Sequence, residues 1–92
     1  MPKQAQKDEV MLTMNARIEK RVGKNICFLR QRAGMTQELL AAKLQLAGCD
    51  ITRSALAKIE VGQRHIYPDE IVLLKEILGA SFDEIFDLTE SS

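Results

Sequence analysis

A helix-starting device recurs along this chain and constrains its fold more than any other feature. Met35-Thr36 precedes Leu40 by the same spacing with which Ile51-Thr52 precedes Leu56. In each copy a threonine at the N-cap can accept a hydrogen bond from the first turn. The flanking apolar residues, at N′ and N4, can close over it as a hydrophobic staple. Ser81 and Glu84 fit a capping box, and Pro68 suits a first helical position. Gly34, Gly48, Gly62 and Gly79 stand where the preceding helices would stop. Starts and stops this close together predict a run of short helices. With only two prolines and five glycines in 92 residues, the chain reads as all-α.

The apolar periodicity supplies the faces. Ile18, Val22, Ile26 and Leu29 recur at spacings of four, four and three, one face of a helix ending at Gly34. That helix starts either at Asn15 as N-cap or, if Val10, Met11 and Met14 continue the stripe, near Lys7. Leu39, Leu40 and Leu44 follow Thr36 on a second helix ending around Ala47-Gly48. In the third, Arg53 to Glu60, only Leu56, Ile59 and the small Ala55 and Ala57 are apolar. This narrow stripe leaves Arg53, Ser54, Ala57 and Lys58 facing outward. Pro68 opens a fourth helix with Ile71, Leu74, Ile77 and Leu78 inside. A fifth, after Ser81, carries Phe82, Ile85 and Phe86. Residues 15–88 thus read as one domain, behind an N-terminal extension of residues 1–14 and before a frayed tail of residues 89–92.

No apolar run approaches the roughly 18 residues of a membrane span. The polar N-terminus lacks the apolar centre of a secretory signal, so the expected location is cytoplasmic. Cys27 and Cys49 then read as free packing thiols, and with His65 as the only histidine no metal site is expected. Net charge is zero, but it is unevenly spread. Residues 17–64 hold ten Lys and Arg against four acids, whereas residues 65–92 hold Lys75 against seven acids. The basic part can attract phosphate while the acidic part stays solvated or meets a partner.

Two adjacent short helices, the second with a polar outer face, are what a helix-turn-helix needs. Its second helix presents short or basic side chains to base edges in the major groove. Arg53 can fork onto guanine, Ser54 and Thr52 adapt to several partners, and Lys58 can reach guanine or phosphate. The same residues would also suit an ordinary solvated helix face.

Three blocks decide between those readings. They are Leu29-Arg30-Gln31-Arg32-Ala33-Gly34-Met35-Thr36-Gln37-Glu38, Ser54-Ala55-Leu56-Ala57-Lys58-Ile59-Glu60-Val61-Gly62-Gln63-Arg64, and Leu78-Gly79-Ala80-Ser81-Phe82-Asp83-Glu84-Ile85-Phe86. In this order they resemble the Cro/C1-type (XRE-like) helix-turn-helix regulators of bacteria and phages, over about residues 18–88. The resemblance implies a compact five-helix lambda-repressor-like domain and a sequence-specific transcriptional regulator. It would most naturally act as a repressor, dimeric on a two-fold operator. It implies base-reading roles for Arg53, Ser54 and Lys58, with Thr52 at their edge, and DNA-phosphate contacts for Gln37 and Arg64. It also implies a structural ion pair between Arg30 and Glu60.

Two departures stand out. The connection between Leu44 and Thr52 is longer than the family's tight turn, which predicts a second helix lengthened by a turn and a wide link through Gly48 and Asp50. The proline after the recognition helix falls two residues late, at Pro68, leaving Tyr67 to touch DNA backbone or pack on the fourth helix. For a dimer, the sequence offers either Phe82, Phe86 and Leu88 or Met11 and Met14, and core packing competes for the two phenylalanines. An antitoxin-like module whose acidic C-terminal part binds another protein is the alternative function. Neither a cofactor nor enzymatic activity is expected: the sequence has no phosphate loop and no nucleophile–base pair.

Overall fold

A computed structural model describes residues 3–89, with side chains from Met14 onward. Regular structure among these residues is entirely helical: α1 (Lys3–Arg32), α2 (Gln37–Leu46), α3 (Arg53–Glu60), α4 (Pro68–Leu78) and α5 (Phe82–Ile85). None is long and apolar enough to cross a membrane. The tail residues 90–92 and the Met11 side chain, both given roles by the sequence reading, lie outside the described residues.

α1 runs unbroken through Asn15, which therefore caps nothing, and begins even before Lys7. Its core-facing stripe is shorter than the periodicity suggested. Val22, Ile26 and Leu29 are buried, but Ile18 is 39% exposed because no neighbouring element covers that flank one turn earlier.

α2 starts on Thr36, whose hydroxyl accepts the Leu39 N–H at 3.1 Å. It buries Leu40, Ala41 and Leu44. Its end explains the long connection. Gly48, at φ +87, lets its own N–H reach the Gln45 carbonyl while Cys49 N–H reaches Leu44, closing a Schellman turn. The helix runs past Leu44 to Leu46 with Ala47 as its C-cap, close to the expected end, and the rest of the extra residues lie in the link. That link is tied down rather than loose. Gln45 donates from Nε2 to the Ile51 carbonyl at 3.0 Å, and Cys49 and Ile51 are buried.

The core joins these residues to Leu56 and Ile59 of α3, Leu74 and Leu78 of α4, and Ile85 of α5. Ser81 and Glu84 complete a reciprocal capping box for α5, each side chain on the other's backbone N–H at 3.0 Å. Phe82 and Phe86 remain nearly half exposed, so neither is a core residue. Two α1 side chains hold the segment after α5. Asn25 donates to the carbonyls of Ile85 and Asp87 at 2.9 and 2.8 Å, and Arg21 reaches those of Asp87 and Thr89.

Candidate nucleic-acid interface

α3 is eight residues long, and its two sides differ sharply. Thr52 caps it, accepting the Ala55 N–H at 3.1 Å. Leu56, Ile59 and Glu60 are buried, while Arg53, Ser54, Lys58 and Val61 are exposed and Ala57 is half-buried between them. At about 100° per residue these five fall within one continuous arc of the helix. The face is therefore a small apolar centre, Ala57 with Val61, edged by Arg53, Ser54 and Lys58. Val61, the C-cap residue of α3, belongs to it.

Electrostatics leave this face open to an anion. The first turn of α3 carries no acid. Arg53 has one carboxylate near it, Glu38 Oε1 at 3.9 Å from Nε, and both side chains are well exposed. An exposed pair at that distance contributes little and yields readily to a better partner. Lys58 makes no ion pair among the described residues.

Behind the face, three helix segments meet on one buried carboxylate. Glu60 receives Arg30 in a fork, Nε to Oε2 at 2.7 Å and Nη2 to Oε1 at 3.0 Å. Arg30 also donates to the Met35 carbonyl at 2.9 Å. Gln37 adds its amide, Nε2 to Glu60 Oε1 at 3.0 Å. Glu60 thereby joins α1, the α1–α2 turn and the start of α2 to the end of α3. Burial raises the Glu60 pKa, but the hydrogen bonds from Arg30 and Gln37 outweigh it and hold the carboxyl below the usual range. Beside it, burial and the same carboxylate push the Cys27 thiol up, consistent with a packing role.

Gly23 sets how closely α3 approaches α1. A Cβ there would stand 2.2 Å from the Ile59 carbonyl oxygen. The sequence reading passed over this residue. Its signal was a glycine inside a helical stripe, which costs about 1 kcal/mol against alanine and so points to a packing reason.

The loop after α3 is held by a second buried carboxylate. Glu70, at N3 of α4, accepts the Tyr67 N–H at 3.0 Å and a forked pair from Arg64 at 3.0 and 3.1 Å. Burial raises the Glu70 pKa, and Arg64 with the Tyr67 N–H lower it further than burial lifts it. Arg64 also donates to the His65 carbonyl and lies 5.8 Å from the Tyr67 ring centroid. Tyr67 is itself mostly exposed, stacked with Arg64 rather than packed inside. His65 meets Glu19 of α1.

The sequence-derived residues thus form two groups. Thr52, Arg53, Ser54 and Lys58 share one open edge of α3. Arg30, Glu60 and Gln37 are joined behind it, with Arg64 tied to Glu70 in the following loop. A protein-family model described as helix-turn-helix matches residues 28–85, which covers α2, α3 and most of this network. No curated protein and no solved structure matches the chain.

Proposed function

The chain belongs to the Cro/C1-type helix-turn-helix family of DNA-binding regulators, and we propose that it reads a specific sequence in the major groove through the outward face of α3. The observation that carries this reading is the open arc itself, with Arg53, Ser54 and Lys58 around Ala57 and only one distant carboxylate nearby. Arg53 forks onto a guanine, Ser54 takes an adjacent base or phosphate, Lys58 reaches guanine or backbone, and Ala57 suits a thymine methyl. Thr52 lies at the edge of this set and acts mainly as the cap.

Phosphate contacts come from the flanks. At the start of α2 the hydroxyl of Thr36 occupies the Leu39 N–H. The N–H groups of Gln37 and Glu38 remain as orphan donors for a phosphate oxygen. Because the Gln37 amide is bonded to Glu60, its contribution is chiefly this backbone donor. Arg64 uses three of its five N–H hydrogens on Glu70 and His65, leaving Nε–H and one Nη2 hydrogen for a phosphate.

A monomer offers a small reading surface, so the proposed regulator acts as a dimer, most simply a repressor, on half-sites about one helical turn apart. Its place of action is the cytoplasm, with the DNA. A second reading, binding of another protein through the acidic C-terminal part, draws on the exposed Phe82 and Phe86 among the acids of α5. Selection from random duplex DNA tests the first reading. Enrichment of a two-fold sequence, with affinity falling steeply between about 50 and 200 mM salt, is the expected result. Absence of any enriched sequence at the low-salt end would overturn it.

A further inference from the structure

The long first helix exposes a groove that the DNA reading does not use. Met14, Ile18 and Leu88 line it with apolar surface, and Arg17, Lys20, Arg21 and Lys24 line it from α1 with charge. Its volume is about 370 Å3. The three apolar side chains are 50%, 39% and 51% exposed. α1 contributes no buried side chain among the described residues before Val22. A helix held by so little of its own domain draws its stability from packing against something else.

Charge says what covers it. Arg17, Lys20 and Lys24 make no ion pair among the described residues. Arg21 spends its guanidinium on the carbonyls of Asp87 and Thr89. Those bonds bring the C-terminal segment, Leu88 included, alongside the basic stripe. Asp87 on that segment and Asp83 in α5 are exposed, and neither has a cationic partner within 4 Å among the described residues, although Thr89 donates to the Asp87 carboxylate. Unpaired cations on α1 and unpaired acids near the C-terminal segment that Arg21 and Asn25 hold against it give one face both signs of charge, which a second copy related by a two-fold axis can match.

We infer that a second copy of this chain docks on this groove. Met14, Ile18 and Leu88 of both copies form the apolar centre, and the Arg17–Lys24 stripe of each faces Asp83 and Asp87 of the other. Met14, from one of the two dimer surfaces that the sequence offers, and Leu88, from the other, line the same groove. The inference rests on the dimer reading and names its interface. Heterologous acidic helices are the competing occupants.

Sedimentation of the full chain without DNA tests it. Wild-type protein is expected to dimerise, and Ile18→Asp with Leu88→Asp to raise the dimer dissociation constant by about 100-fold, the scale of exposing two aliphatic side chains. A charge exchange is sharper. Arg17→Glu/Lys24→Glu and Asp83→Lys/Asp87→Lys should each be monomeric alone, because like charges then face one another. An equimolar mixture of the two should form a heterodimer, since both contacts become complementary again. All four positions are on the surface, and circular dichroism checks that each variant is folded. Wild-type protein monomeric at about 100 µM, dimers indifferent to these changes, or no heterodimer in the mixture would overturn the inference. Dimerisation lost with specific DNA binding retained, or the reverse, tells its failure apart from failure of the DNA reading.

Discussion

Single residues decide how α3 sits on α1, and Gly23 is the plainest case. Replacing it by alanine would add about 1 kcal/mol of helix propensity. The new Cβ would meet the Ile59 carbonyl at 2.2 Å, and a backbone atom in a packed helix cannot swing aside. Gly23→Ala is therefore expected to lose about 1–3 kcal/mol net in chemical denaturation, the usual cost of overpacking. A neutral or stabilised variant would show that α3 lies farther from α1. The Arg30–Glu60 pair is decided by its burial: the side chains are only 11% and 4% exposed. Glu60→Leu alone strands the Arg30 guanidinium and should cost about 3–5 kcal/mol. The double variant Arg30→Met/Glu60→Leu should be more stable than Glu60→Leu alone. Additive losses in that cycle would mean that the two groups do not interact.

At the level of elements, what was legible in the sequence was what is encoded locally. The caps Thr36, Thr52 and Ser81 lie within three residues of the N–H groups they satisfy, so their spacing is visible in the chain. The glycine stops behave the same way. Gly48→Ala should cost about 1–2 kcal/mol from the left-handed backbone alone, because nothing lies within 4 Å of the added Cβ. Hydrogen exchange should show that loss concentrated in the α2–α3 link. Uniform loss over the whole chain would instead mark the link as part of the core's single cooperative unit. Other features were hidden because their partners are distant in sequence. Periodicity put Ile18 on the core face, but it cannot say where the neighbouring helices end. Nothing near Asn25 or Arg21 announces that they hold the segment after α5, some 60 residues later. Glu70 stands only two residues after Pro68, yet Arg64 makes it the anchor of the loop after α3, a role its place near a helix start does not reveal.

Across the whole molecule, the charge asymmetry resolves into paired and free groups. Arg30, Arg32 and Arg64 are matched to Glu60, Glu84 and Glu70, and the last two of these pairs draw on the acidic C-terminal part. All three carboxyls titrate below their ordinary value of 4.5, and Arg32 with the Ser81 N–H holds Glu84 down to about 2. A depressed carboxyl binds fewer protons folded than unfolded. Its stabilisation is full above the unfolded value and is lost as pH falls through the folded one. Stability should thus be level near neutrality and decline from about pH 4.5 downward, with the Glu84 share persisting toward pH 2. Denaturant midpoints across that range, with a shallower decline in Glu84→Gln, check this. A steeper decline in Glu84→Gln would contradict it. The central claim is that α3 reads DNA bases through Arg53, and it is tested most directly by repeating the selection from random duplexes with Arg53→Ala. The account predicts the wild-type preferred sequence with discrimination lost at one base position per half-site, about 1–3 kcal/mol there. An unchanged preference at every position, with affinity merely lowered, would contradict it.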